Sequence, residues 1–346
     1  MGESARQETE RRMAQQADFF ALLNVDERQT DLFGAERPRR KAAAKPRKGL
    51  ALAFDARHDT YVHELEETGR FRVLRRLEPR RVVPRALELG EKLAVIVDTE
   101  TTGLDHTRDE VIELGMVAFT YREGGAIGDV VDTFSALREP TVPISPVITK
   151  LTGITPEMVA GQSIDLEAAA RFIQSASIVI AHNARFDRPF CEHLVEGFDV
   201  KPWACSVVEV PWADFGFEGT KLGYLIGQCG MFHNGHRAVD DCHALLEVLA
   251  APLKEATGTA FGRLLETARR PRFRVWAENS PFDMKDTLKA RGYRWNDGSD
   301  GRPKSWYREV EDEALGEEIT FLREEVYLRA VEPYVQKLTA MNRYKA

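Results

Sequence analysis

The stretch 93-LAVIVDTE-100 constrains the fold of this chain more than any other, because five apolar residues run directly into an acid, a threonine and a second acid. A segment so short, apolar and β-branched reads as a buried strand. After the turn 101-TTGLD-105, the segments 110-EVIELGMVAFTY-121 and 129-DVVDTFSALREP-140 read as neighbouring strands. Helical composition at 164-IDLEAAARFIQSA-176 leads into 177-SIVIAHN-183, a second short buried strand. Helices are expected at 184–195, 220–229 and 238–252, with a strand at 202-PWACSVVEV-210. Three strands followed by alternating helix and strand predict an α/β domain with a mixed central sheet over residues 91–267.

The flanks differ in character. Residues 1–90 form an N-terminal extension rich in Arg and Glu, with a short polar helix expected over residues 5–24 and a flexible basic linker at 35–49. Residues 271–346 read as a small α+β accessory module of order β-α-β-β-α. Cations and aromatics interleave there, among them Trp276, Lys285, Lys289, Trp295 and Trp306. Such rings either form the core of a very small domain or stack on unpaired bases. Trp295 and Trp306, on strands joined by the turn at 298–303, are placed for a cross-strand pair.

Composition narrows the class of protein. A chain of 346 residues can hold two domains, and no run of 18 apolar residues marks a membrane span. The polar start MGESARQETERRM lacks the apolar stretch of a secretory signal. Four cysteines without a CxxC pair read as reduced thiols, so a cytoplasmic location is expected. The net charge of −7 argues weakly against broad duplex binding, yet basic residues cluster in 37-RPRRKAAAKPRKG-49 and end-processing chemistry stays open.

Three segments bear groups suited to catalysis. Residues i and i+2 of a strand share a face, so Asp98 and Glu100 present two carboxylates side by side at a strand's C-terminal end. Such a pair repels unless a cation lies between, and hard divalent metals favour oxygen ligands; the alternative is a strand end with two solvated acids. In 182-HNARFD-187, Asp187 falls in the first turns of a helix, where the dipole alone also favours an acid. Asn183 and Phe186 stand beside it as a polar and a packing contact. In 236-HRAVDD-241, five helical residues rotate by roughly 500°, so His236 meets Asp241 only from the preceding loop, which 234-NG-235 permits. A histidine beside acid-bound metal can act as general base, while Asp240 reads as capping or solvated.

In this order, DTETTG, HNARFD and HRAVDD resemble the three exonuclease motifs of the DEDD superfamily in its histidine subgroup, which includes proofreading epsilon subunits of bacterial DNA polymerase III and stand-alone relatives. The segment 148-ITKLTGIT-155 resembles the family's stretch between the first and second motifs, and the likeness covers roughly residues 91–255. It implies a ribonuclease-H-like fold, a mixed five-stranded sheet flanked by helices. It implies further that Asp98, Glu100, Asp187 and Asp241 bind two Mg²⁺ or Mn²⁺ ions ~3.5–4 Å apart, and that His236 deprotonates the attacking water. Thr101, Thr102 and Gly103 would lie against the terminal nucleotide and its 3′-hydroxyl, with Asn183 and Phe186 as lesser substrate contacts. The implied activity is 3′–5′ hydrolysis of DNA, at single-stranded or frayed ends, releasing nucleoside 5′-monophosphates, with a DNA polymerase or repair protein as possible partner. An exonuclease trimming RNA and a non-catalytic end-binding module are the alternatives.

Overall fold

The computed structural model describes residues 56–252, 258–298 and 301–345. The helix expected over residues 5–24 and the basic linker at 35–49 lie outside the described residues. The chain divides into two compact units, Met1–Arg75 and Arg76–Ala346. In the first, helix α1 (Ala56–Glu67) is followed by Arg75, which pairs with Asp59 of the helix at 2.9 Å. No helix among the described residues is long and apolar enough to cross a membrane.

The second unit is built on a five-stranded sheet. Its strands are β1 (Lys92–Thr101), β2 (Val111–Tyr121), β3 (Ile127–Leu137), β4 (Ile178–Ala181) and β5 (Trp203–Cys205), in the order β3-β2-β1-β4-β5. β1 pairs antiparallel with β2 and parallel with β4, so the sheet is mixed and β1 is its centre. Alternation along β1 feeds two cores. Ala94 and Ile96 face helices α7 (Ala238–Ala250) and α8 (Ala260–Arg269), whereas Val95 and Val97 face α3 (Leu166–Gln174) and α4 (Ala184–Leu194). The earlier α2 (Pro146–Thr152) starts from a Ser145 cap, whose hydroxyl accepts the Ile148 N–H.

One expectation is corrected. The strand foreseen over 202–210 ends at Cys205, and Ser206–Glu209 forms a one-turn helix, α5. The buried Glu209 carboxylate accepts the Cys205 N–H at 2.8 Å and pairs with Arg343, so the chain turns inward to satisfy an acid instead of extending the sheet. Helix α6 (Leu222–Gln228) follows.

Residues 272–338 carry a second sheet. It comprises β6 (Arg272–Ala277), β7 (Arg294–Asn296), β8 (Ser305–Glu311) and β9 (Tyr334–Leu338), in the antiparallel order β9-β6-β8-β7, with α9 (Lys285–Ala290) and α10 (Asp312–Phe321) between strands. The anticipated β-α-β-β-α order is present, and β9 is an additional strand. Val275, Ala277, Leu288, Val310, Phe321 and Leu322 make its own core. Trp276 is buried within this sheet, while Trp295 is 51% exposed. Trp295 and Trp306 do pair across β7 and β8, rings edge-to-face at 5.4 Å.

Beyond β9 the chain returns to the first sheet and is clamped there. The Trp203 N–H donates to the Ala340 carbonyl at 2.7 Å. Arg188, fully buried on α4, donates to the carbonyls of Met341 (2.7 Å) and Arg343 (2.6 Å). Arg343 pairs with Glu209 and donates to the carbonyls of Ala268 (2.8 Å) and Arg270 (2.6 Å). Each guanidinium thus finds carbonyl acceptors in place of water, as burial of a charge requires.

Candidate active site

Asp98 and Glu100 lie on the α7 face of β1, the face of Ala94 and Ile96. There a carboxylate oxygen of each comes within 4.8 Å of an oxygen of Asp241 on the first turn of α7. Two features of β2 bring the helix so close. Gly115 is the register partner of Asp98, and a Cβ on it would run into the backbone of Ala238 and Val239. The fully buried Glu113 takes the Ala238 N–H at 3.1 Å and both Nε and Nη2 of Arg237. Glu113 therefore supplies the cap that no side chain at the helix start provides, satisfying an otherwise orphaned N–H. Gly115→Ala is expected to cost about 1–3 kcal/mol of stability and to weaken divalent-metal binding, because α7 must retreat and carry Asp241 with it. Urea denaturation and metal titration calorimetry check both; a variant unchanged in each would show that this close approach does not set the site.

Asp187 reaches the site from the opposite face. It is buried on α4, and its Oδ1 accepts the Thr99 N–H (3.1 Å) and hydroxyl (2.9 Å). Thr99 shares the α4 face with Val95 and Val97, so residues 98–100 distribute their side chains to both helices. Asp187 is not within the 4.8 Å grouping of the other three acids. The helices bearing Asp187 and Asp241 are both entered through non-glycine residues at positive φ, Asn183 (149°) and His236 (63°). Such conformations cost of order 1–3 kcal/mol and persist only where the surroundings enforce them.

The electrostatics follow from crowding. Burial, then the neighbouring acids Asp187, Asp241 and Glu100, push the Asp98 carboxyl well above its ordinary range. Burial and the nearby Asp241 and Glu113 do the same to Glu100. Asp187 is pushed up to about 7 by burial, against the opposing pull of the Thr99 hydrogen bonds. An all-oxygen set of crowded, mutually repelling carboxylates, buried at Glu100 and half-buried at Asp98 and Asp241, fits a hard divalent cation. An acid whose folded pKa is raised stabilises the fold fully below its unfolded pKa, and loses that contribution as pH rises through the folded value. For Asp187 the window runs from about 4 to about 7. The metal-free protein is therefore expected to melt progressively lower between pH 5 and pH 8. Mg²⁺ is expected to raise its Tm more at pH 8 than at pH 5, since the ligands must shed protons to bind. Thermal scans with Mg²⁺ or EDTA at both pH values measure this, and equal metal effects at the two would contradict it.

Three histidines surround the acids. His236 sits on the loop before α7, half-buried, and burial lowers its pKa against the pull of Asp241, so its ring is neutral at pH 7. His233, which sequence reasoning missed, places Nε2 2.7 Å from Asp241 Oδ1. The signal for it was the first of the two histidines in 231-MFHNGHRAVDD-241. His182 bridges Ser206 Oγ and the Thr220 carbonyl, each at 2.7 Å, and burial drops it to about 4. It is a neutral structural tie between the end of β4 and the start of α6.

The remaining expected residues border the acids. Thr101 Oγ1 donates to the Gly103 carbonyl at 2.5 Å, and Gly103 lies against the Asp109 carboxylate with no space for a Cβ. The Thr102 hydroxyl accepts the Glu110 N–H at 2.9 Å, closing the turn after β1. The Asn183 carbonyl accepts the Phe186 N–H at 2.7 Å, and half-buried Phe186 packs on Phe190 with ring centres 5.0 Å apart. Asp240 is half-buried in the first turn of α7, whose cap comes from Glu113.

Residues 95–249 match the model of an exonuclease family. The chain is 33% identical over 161 residues to the DNA polymerase III subunit epsilon of Treponema pallidum, a match covering 44% of this chain and 72% of that protein. It is also 33% identical over 170 residues to the PolC-type DNA polymerase III of Caldanaerobacter subterraneus subsp. tengcongensis. That match covers 46% of this chain but only 12% of the much longer polymerase. Among solved structures, Exonuclease X in complex with 5′ overhanging duplex DNA aligns with 50% of this chain and 99% of that chain, at 23% identity and a TM-score of 0.38.

Proposed function

Because the chain belongs to the DEDD exonuclease family, we propose that it removes nucleotides one at a time from the 3′ end of DNA, at single-stranded or frayed ends, releasing nucleoside 5′-monophosphates. The observation that carries this reading is the meeting of Asp98, Glu100 and Asp241 on one face of the central strand, with Asp187 buried behind Thr99. These four acids are the residues to hold two divalent ions, Mg²⁺ or Mn²⁺. When bound, such ions activate a water and offset charge on the scissile phosphate. His236, neutral at pH 7, has the form needed to take the proton of that water. Thr101, Thr102 and Gly103 lie where the chain turns beside Glu100, so they are the contacts for the terminal nucleotide and its 3′-hydroxyl. Asn183 and Phe186 border the substrate from the α4 side. A DNA polymerase or repair protein is the corresponding partner.

The test is degradation of 5′-labelled single-stranded DNA and RNA of matched sequence with Mg²⁺, Mn²⁺ or EDTA. A metal-dependent ladder shortening from the 3′ end, faster on DNA, is the expected result. A faster ladder on RNA would reassign the substrate. No shortening of either by folded protein with metal would remove the catalytic reading.

A further inference from the structure

The core of the C-terminal sheet does not account for its exposed rings. Trp295 on the edge strand β7 is 51% exposed, and Phe282, just ahead of α9, is 83% exposed. A lysine stands over each of two rings in this region. Lys285 Nζ is 4.7 Å from the centre of Phe282, and Lys289 Nζ is 5.9 Å from the centre of Trp306, the edge-to-face partner of Trp295. Lys285 and Lys289 are four residues apart on α9, hence on one face and about 6 Å apart along its axis. Four arginines on or beside the same sheet have acid partners: Arg272 with Glu311, Arg274 with Glu309, Arg291 with Glu317 and Glu318, and Arg308 with Glu318. Among the described residues neither Lys285 nor Lys289 forms an ion pair with a carboxylate. Asp286, the nearest acid in sequence, lies roughly 100° around the helix from Lys285.

We propose that Phe282, Lys285, Lys289, Trp295 and Trp306 form a binding surface for single-stranded nucleic acid, separate from the acid cluster. It rests on the reading that nucleic acid is the substrate. Every base offers a π-face to an exposed ring, and a cation beside each ring meets the phosphate that follows. Cores of protein–protein interfaces are depleted in lysine, so lysines set against exposed Phe282 and against half-buried Trp306, the partner of Trp295, favour a polyanion over a protein partner. The arrangement has no means of reading base edges, and the contact is sequence-tolerant.

The experiment uses the full chain in EDTA and 5′-fluorescein oligothymidylate, with Kd from anisotropy across a salt series. The double variant Phe282→Ala/Trp295→Ala is expected to raise Kd at least about tenfold, and Trp295→Phe to retain binding. The double variant Lys285→Ala/Lys289→Ala is expected to reduce the slope of log affinity against log salt by about 1.4, roughly 0.7 per phosphate contact. Neither pair is expected to alter Mg²⁺-dependent hydrolysis of the p-nitrophenyl ester of thymidine 5′-monophosphate, which needs only the acid cluster. Unchanged Kd and slope in both pairs would overturn the proposal, and binding unaffected by them would point to a protein as occupant of this surface. Wild-type protein inert on the ester would fail the exonuclease reading instead, whatever the Kd values show.

Discussion

Replacing Asp98 with asparagine is expected to lower 3′-end hydrolysis by at least about a thousandfold while raising the melting temperature of the metal-free protein. The two effects have one cause. Burial together with Asp187, Asp241, Glu100 and Glu113 disfavours the charge of Asp98. Amide for carboxylate removes that repulsion and removes a metal ligand in the same step. The relief grows as rising pH forces the carboxylate to ionise, so the gain in Tm should be larger at pH 8 than at pH 5. Hydrolysis assays with Mg²⁺ and thermal scans in EDTA read the two sides independently. A pure variant with near-wild-type activity would sink the assignment of the site. An inactive variant that melts lower would show that Asp98 supports the fold and would leave its place in the chemistry without support.

The second large effect lies at the clamp between the two sheets. Arg343→Met should destabilise the protein by about 3–5 kcal/mol, the usual consequence of leaving one partner of a buried ion pair alone. Glu209 is 1% exposed, its carboxylate held by Arg343 and the Cys205 N–H. Burial already raises its pKa against the pull of Arg343, so without the arginine it must take up a proton or draw in water. The expected fall in Tm is about 6–20 °C. Glu209→Gln combined with Arg343→Met should recover much of it, because a neutral pair removes the stranded charge. A double variant that melts as the sum of the single losses would show that the pair does not act as a unit.

What could be read from the sequence was what short-range pattern encodes. The apolar run before Asp98 marks β1, and period-two alternation puts Asp98 and Glu100 on one face; Asp187 and Asp241 sit at legible helix starts, but only the resemblance to the exonuclease motifs singles them out. Strand β9 escaped because 334-YVQKL-338 is short and half-polar, and its place is set by long-range pairing with β6. The end of β5 at Cys205 was equally illegible, since it depends on Glu209 meeting an arginine 134 residues away. The assignment of Asp98 and Thr99 to opposite helices needed the sheet itself. So did the role of Glu113, which looks like one more strand residue until α7 is set upon it.

The Glu209–Arg343 clamp also has a consequence in time. A ribosome adding about 5–20 residues per second delivers Arg343 roughly 7–27 s after Glu209, given their 134-residue separation. Through that interval the nascent chain holds Glu209 without its arginine, and Arg188, paired with Glu192 one turn on, without the carbonyls of Met341 and Arg343. The sheet bearing the acids is complete in sequence long before it is complete in energy. Completion of the fold during synthesis thereby includes a contact of long sequence separation, the slow kind in folding, and stalled or truncated chains would lack it.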